Sequence, residues 1–424
     1  MPDSHPPRLA TPTPTQTLTQ LKRSPCRPTH PPPPPHSRVS FQAKARAAPR
    51  AARRAAARAE AATTQKLADI VKPGVVSGKD SMAVLKHARD NGYAIPAVNC
   101  TSTPVITACL EAAMKANAPI MVQFSNGGGL NMAGKGLDNT DEKAAIAGTI
   151  AGALHTRAVA AQYGVPVFLH TDHCAKKLLP WFDGLLEANE KYYAEHGEPL
   201  FSSHMLDLSE EPIEENMEIC KKYLERMAKI DCVLEIEIGI TGGEEDGVDN
   251  TDVDKDELYS KPEEIDYVYE CLSPISDGFT VAAAFGNVHG VYKPGNVELT
   301  PSILGNAQKF IKEKRDLDED KPVYFVFHGG SGSSREEIQE AIDYGVIKMN
   351  IDTDTQWSMW AGVKEFVEEN GPYLQSQIGN PEGDDKPNKK YYDPRSWLRK
   401  AETATIDRLL VAFEDLKATD ACSK

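Results

Sequence analysis

Eight short β-rich runs alternating with stretches long enough for helices predict an α/β fold for residues 67–424, a (β/α)8 TIM barrel. Polar residues gather just past these runs. The turn after the first run, Asn99-Cys100-Thr101, lacks the Gly-x-Gly-x-x-Gly pattern expected of a doubly wound sheet. In a parallel barrel the strand C-termini converge on one face and carry the chemistry, while the opposite face carries stability.

The runs occupy residues 94–99, 119–125, 166–172, 201–207, 233–239, 279–286, 323–329 and 346–352. The first, Ala-Ile-Pro-Ala-Val-Asn, leads into Thr103–Ala116, where apolar residues recur at helical spacing. The second, Pro-Ile-Met-Val-Gln-Phe-Ser, is followed by a helical stretch over 142–163, and the third reads Pro-Val-Phe-Leu-His-Thr-Asp. The fourth, Phe-Ser-Ser-His-Met-Leu-Asp, precedes a helix over 214–230. After the fifth, Val-Leu-Glu-Ile-Glu-Ile-Gly, comes a long acidic, Gly-rich loop over 241–261, expected to be mobile. The sixth reads Phe-Thr-Val-Ala-Ala-Ala-Phe-Gly; the seventh, Val-Tyr-Phe-Val-Phe-His-Gly, leads to a helix over 334–344. Beyond the eighth, Val-Ile-Lys-Met-Asn-Ile-Asp, a C-terminal helical arm includes the polar stretch 379–399.

Charge divides the chain unevenly. Residues 1–66 hold twelve Lys or Arg against only Asp3 and Glu60, a net +10, so the remainder carries −25 to give the overall −15. The same segment has 13 of the 30 prolines before residue 50, then an Ala/Arg tract, and cannot bury a core. It reads as a disordered transit-peptide-like segment, expected to direct the protein to the chloroplast stroma, with the mitochondrion as the alternative. The acidic body is a poor nucleic-acid binder, and no run of 18 apolar residues offers a membrane span. Eight cysteines without a Cys-x-x-Cys pair read as reduced thiols.

Three of the eleven histidines, His173, His289 and His328, stand just past apolar runs. At converging strand exits, three imidazoles fill three of the four positions of a catalytic zinc and leave one for substrate. Alternation puts His170 and Asp172 on one strand face. Glu235 and Glu237 share another, which reads either as a polar layer paired with Lys348 or, for Glu237, as an alternative metal ligand. The Gly329-Gly330-Ser331-Gly332 loop opens a helix, with Ser333 and Glu336 at capping-box spacing, and suits a phosphate. Asn350 and Asp352 share a face suited to substrate oxygens; Lys348, one layer deeper, leaves a Schiff-base lysine open.

Taken together, these motifs resemble the class II fructose-1,6-bisphosphate aldolases of the longer subclass. The likeness rests on Phe-Ser-Asn-Gly-Gly (124–128), Leu-His-Thr-Asp-His-Cys-Ala-Lys-Lys (169–177), Leu-Glu-Ile-Glu-Ile-Gly (234–239) and Thr-Gly-Gly-Glu-Glu-Asp-Gly-Val-Asp-Asn (241–250). It continues through Phe-Gly-Asn-Val-His-Gly-Val-Tyr (285–292), Phe-His-Gly-Gly-Ser-Gly-Ser (327–333), Lys-Met-Asn-Ile-Asp-Thr-Asp-Thr-Gln (348–356) and Lys-Lys-Tyr-Tyr-Asp-Pro-Arg (389–395). The resemblance implies that His173, His289 and His328 hold catalytic zinc, with Glu237 as alternative ligand. It implies Asp172 and Glu245 as acid/base residues and Asn350 on the substrate carbon chain. Gly290, Gly329, Ser331, Asp352 and Thr353 would surround one phosphate, Ser125 and Arg395 would serve the phosphate ends, and Asn99 would contact substrate. A monovalent cation (Na+ or K+) near the phosphate loops and a homodimer, with Arg395 reaching a neighbouring subunit, are implied as well.

The implied reaction is reversible aldol cleavage of fructose 1,6-bisphosphate to dihydroxyacetone phosphate and glyceraldehyde 3-phosphate through a zinc-stabilised enediolate. Its setting would be glycolysis and gluconeogenesis, or carbon fixation in a chloroplast. Three alternatives stand beside it: a tagatose-1,6-bisphosphate aldolase, a non-catalytic phosphosugar-binding barrel, and a zinc hydrolase. A pure binder would not need Asp172 and Glu245.

Overall fold

The computed structural model describes residues 65–239, 241–245, 248–250, 258–289 and 299–424, and of residues 242–245, 248–250 and 289 it describes the backbone alone. Of the segment 1–66 expected to act in targeting, residues 1–64 lie outside the described residues. Strands β1 (Ile95–Asn99), β2 (Ile120–Phe124), β3 (Pro166–Thr171), β4 (Ser203–Leu206), β5 (Val233–Ile238), β6 (Phe279–Ala283), β7 (Phe325–Phe327) and β8 (Val346–Asn350) pair in that order, all in parallel. β8 pairs back onto β1, so the sheet closes into the eight-stranded barrel that the alternation predicts. All eight runs are strands, each trimmed by a few residues at its ends.

Helices α1 (Lys79–Asn91), α2 (Thr103–Ala116), α3 (Asn126–Ala133), α4 (Lys143–Ala160), α5 (Leu179–His196) and α6 (Ile213–Met227) occupy the first half. α7 (Pro262–Leu272), α8 (Ser302–Arg315), α9 (Arg335–Asp343), α10 (Thr353–Asn370) and α11 (Pro394–Asp415) follow, and single helical turns stand at Leu67–Ile70 and Lys389–Tyr392. Every residue of the eight strands is buried. Outward side chains such as Val98, Val122, Leu169 and Leu234 belong to one continuous apolar core that also holds Trp181, Phe182, Leu224, Leu304 and Phe413 from the helices. At the N-terminal end of β1, the Ala94 amide donates to the Leu416 carbonyl (3.1 Å), and the Leu67 amide donates to the Lys424 carbonyl (3.3 Å). The C-terminal segment thus fastens the base of the barrel, away from the strand exits.

Between the strands and helices, polar groups pair locally. His204, on the outward face of β4, lies 2.8 Å from the Thr171 hydroxyl through Nδ1 and accepts from Asn189 of α5 at 3.2 Å through Nε2. Burial drives its pKa from 6.5 down to about 3. Between those values the unfolded chain binds a proton that the folded chain refuses, so the stabilisation is full above pH 6.5 and is lost as pH falls towards 3. Acidification from pH 7 to 5 is expected to cost about 2 kcal/mol through this residue. Urea unfolding of His204→Gln should show a shallower pH slope than the wild type; equal slopes would exclude His204 as the source.

All seven described cysteines are buried free thiols. Among the described residues, no helix is long and apolar enough to cross a membrane. The loop after β5 holds a feature that sequence patterning does not anticipate. Gly242–Glu245 pairs antiparallel with Val248–Asn250 and in parallel with Val288–His289, giving a separate three-stranded sheet.

Candidate active site

β3 ends by turning Asp172 and His173 into the barrel mouth. His173 adopts φ 43°, a left-handed conformation uncommon for a side chain larger than glycine, and its amide donates to Met205 Sδ at 3.3 Å. A bridge between Ala175 and Asp207 secures the chain beyond it. Such strain is kept where the surroundings overdetermine it, commonly at functional positions.

Asp172 is fully buried and held by two carboxamides. Asn99 of β1 donates to Oδ2 at 3.0 Å, and Asn350 of β8 donates to Oδ1 at 3.1 Å. Its own amide donates to the Phe124 carbonyl at 2.9 Å. Strands one, three and eight therefore meet at one carboxylate. The carbonyl oxygens of Asn99 and Asn350 are buried and have no hydrogen-bond partner among the described residues. A buried acceptor left this way costs about 1–3 kcal/mol, which a hydroxyl donor arriving with a substrate recovers.

Next to Asp172 stand two imidazoles. His173 Nδ1 lies 3.1 Å from Asp207 Oδ2, and His328 Nε2 lies 2.8 Å from Glu235 Oε1. A carboxylate only accepts, so each contact places the ring proton on that outer nitrogen. The inner nitrogens, His173 Nε2 and His328 Nδ1, face each other at 2.8 Å. Carboxylate-anchored imidazoles with lone pairs turned to a common point are the arrangement of metal-ligating histidines. Glu237 Oε2 lies 3.7 Å from His173 Nδ1 and 3.8 Å from His328 Nδ1, adding an oxygen donor. The donor atoms of Asp172, His173 and His328 lie within 4.8 Å of one another, as do those of His173, Asp207 and Glu237. This nitrogen and oxygen set fits a divalent metal.

The charges agree. Burial works against the charge of Asp207, but its hydrogen bonds from His173 and Ser209 outweigh it and bring the carboxyl down to about 2. His328 is pushed down, first by burial and then by the neighbouring His173, so its neutral ligating form is favoured.

Lys348 is buried beneath the mouth with its ammonium 2.7 and 2.9 Å from the two Glu235 oxygens. This confirms the paired polar layer. It also speaks against the Schiff-base alternative, because the amine is 1% exposed and committed to both oxygens of a carboxylate instead of being presented to the mouth. A second chain of bonds ties three loops together. Asn287 donates to the His328 carbonyl (3.0 Å) and to Thr241 Oγ1 (3.2 Å), and Thr241 donates to Glu237 Oε1 (2.7 Å). Asp207, Thr241 and Asn287 were not anticipated from sequence. Asp207 carried a usable signal, since it ends the fourth run as His173 follows the third. Gln123 is a further unanticipated group: fully buried, in register with Asn99, and without a partner among the described residues at either end of its amide.

Other anticipated residues are placed in part. The backbones of Glu245 and His289 lie in the small sheet, His289 opposite Gly243 and Glu245 opposite Val248, while their side chains and all of Gly290 lie outside the described residues. Gly329 has φ +62° and approaches so closely that a Cβ there would meet the Val288 carbonyl oxygen at 2.5 Å, so the loop after β7 requires glycine. Ser125 caps α3, accepting from the Gly128 amide at 3.2 Å. Ser331 is half-buried in the turn that follows Gly330.

One expectation is corrected. The capping box is Ser334 with Glu337, one residue later than Ser333 with Glu336, because the Ser333 amide closes a turn onto the Gly330 carbonyl. The amides of that helix end serve its own cap, and Glu336 and Glu337 make its first turn acidic. α10 begins at Thr353 after Asp352, with no side-chain cap and with Asp354 in its first turn. Asp352 instead accepts from Gln356 at 2.8 Å. Arg395, implied to reach a neighbouring subunit, has a side chain that is 87% exposed and paired with Asp393 at 2.6 Å.

A closed parallel barrel whose mouth pairs anchored imidazoles with an amide-held carboxylate defines a metal-dependent (β/α)8 enzyme. Residues 79–421 match the family profile described as fructose-bisphosphate aldolase class-II. The chain is 62% identical over 356 residues to a fructose-bisphosphate aldolase of Haemophilus influenzae, covering 84% of this chain and 99% of that one. It is 59% identical over 356 residues to the fructose-bisphosphate aldolase class 2 of Escherichia coli K12, with the same coverage. The crystal structure of a Campylobacter jejuni fructose-bisphosphate aldolase superposes with a TM-score of 0.77 at 56% identity, covering 84% of this chain and all of that one. The chain belongs to the class-II fructose-bisphosphate aldolase family.

Proposed function

We propose that this protein is a lyase that reversibly cleaves D-fructose 1,6-bisphosphate into dihydroxyacetone phosphate and D-glyceraldehyde 3-phosphate, the activity named for its relatives. The observation that carries the reading is Asp172, a buried carboxylate clamped by Asn99 and Asn350 beside two anchored imidazoles. A divalent metal bound there supplies an electrophile for the ketose carbonyl and a sink for the charge left when C3–C4 breaks. His173, His328 and His289 would hold it, with Glu237 as alternative ligand; zinc suits these donors.

Asp172 accepts the proton of the C4 hydroxyl, which lets the C4 oxygen become the aldehyde as the bond electrons remain with C3. Asn99 and Asn350 keep both carboxylate oxygens oriented, and their own carbonyl oxygens accept substrate hydroxyls. Glu245 then delivers a proton to C3, and condensation uses the same groups in reverse. Gly290, Gly329, Ser331, Asp352 and Thr353 surround one phosphate, with Na+ or K+ beside these loops, and Ser125 and Arg395 serve the phosphate ends. Loss of C3 proton exchange with near-normal zinc content is expected for Glu245→Ala. Wild-type exchange in that variant would remove Glu245 from the mechanism. Release of triose phosphate from the fructose rather than the tagatose bisphosphate tests the substrate.

The exposed Arg395 fits a site completed by a second copy, and α10 presents Trp357 and Trp360, 64% and 55% exposed, as an apolar face for a homodimer. Sedimentation as a monomer at assay concentration would count against it. Residues 1–66 are assigned as a targeting segment for the chloroplast stroma, with residues 67–424 as the enzyme, on the strength of the +10 charge and proline richness. An uncleaved N-terminus on protein recovered from isolated chloroplasts would refute this.

A further inference from the structure

Resting on the metal reading above, we infer that Lys348 is a positioning residue: from the barrel axis it fixes Glu235, and through Glu235 the ring nitrogen that His328 presents to the metal. Lys348 sits two residues before Asn350 on β8, in register with Ile95, one layer below the Asp172 clamp. It is 1% exposed. Its ammonium bonds both Glu235 oxygens, lies 3.3 Å from His170 Nε2 and 3.9 Å from Asp172 Oδ1, and so is committed within the barrel.

The step from Lys348 to the metal site is a matter of proton position. Glu235 Oε1 receives two donors, Lys348 Nζ at 2.7 Å and His328 Nε2 at 2.8 Å. A neutral imidazole has one N–H, so the proton spent on Glu235 leaves the lone pair on Nδ1, the nitrogen 2.8 Å from His173 Nε2. With the proton on the other nitrogen, His328 would point an N–H at the metal position. Glu235 is 2% exposed, and a buried carboxylate deprived of its cation rotates or recruits another donor. Lys348 removes that freedom by pinning both oxygens. Among the described residues it is the one Lys or Arg paired with Glu235.

A purely structural ion pair makes a different forecast. Buried pairs are commonly replaced by apolar residues of similar volume with little loss of stability. The test compares full-length wild type, Lys348→Met, and Lys348→Met combined with Glu235→Leu. Three quantities are read: Zn2+ affinity by competition with a chromophoric chelator, the 15N shifts of His328 in metal-free protein, and Tm. Lys348→Met should weaken Zn2+ binding by about 10- to 100-fold and give mixed His328 tautomers. The double variant should regain Tm while Zn2+ binding stays weak, because the acceptor on His328 is gone. Wild-type Zn2+ affinity and a single tautomer in either variant would overturn the inference. Failure of the wild type itself to bind Zn2+ would instead overturn the metal reading beneath it.

Discussion

Asp172→Ala is expected to lower kcat by roughly 1,000-fold while leaving metal content near that of the wild type. The carboxylate is the one acceptor clamped by two amides at the junction of β1, β3 and β8, and alanine removes the group that takes the C4 proton. Asp172→Asn should do no better. Asn99 and Asn350 both present N–H groups to the carboxylate oxygens, so the new amide would set one donor against another at about 3 Å. Steady-state assay of triose phosphate release, with metal analysis of the same samples, checks both variants. An Asp172→Asn enzyme retaining a tenth of wild-type kcat would exclude Asp172 as the proton acceptor.

The second large effect is expected at His328. His328→Ala should lose both bound metal and cleavage activity, with kcat/KM down by at least ~1,000-fold, because one inner nitrogen disappears and Glu235 loses a donor. The orphaned bond to a buried carboxylate adds about 1–3 kcal/mol of lost stability. Chelation should likewise silence the wild type, and adding Zn2+ back should restore the wild type but not the variant. A His328→Ala protein that keeps stoichiometric metal would move the site to the His173, Asp207 and Glu237 group, whose donor atoms also lie close together.

The barrel was legible from sequence because its cause is local: each strand is a short β-rich run, and the stretches between are long enough for helices, Thr103–Ala116 with apolar residues at helical spacing. Thr103–Ala116 is a helix with those bounds, and all eight runs are strands. The post-strand positions of His173 and His328 were legible for the same reason, since parallel strands send their exits to one face. The cap of α9 was not, because two serines offer the same Ser-x-x-Glu spacing one residue apart. The Gly330 turn selects Ser334.

The sequence by itself determined the alternation, the closed parallel sheet and the residue types at its mouth, because patterning and strand parity depend on near neighbours. The tertiary structure decided which of those residues act together. Asn99 and Asn350 meet on Asp172 although they are 251 positions apart in the chain. Asp207 and Glu235 turn the two imidazoles so that their lone pairs converge. Lys348 became a buried counter-ion instead of a candidate nucleophile. The physical reason is that hydrogen bonds and desolvation act over a few ångströms, and folding sets those distances between strands that the sequence keeps far apart.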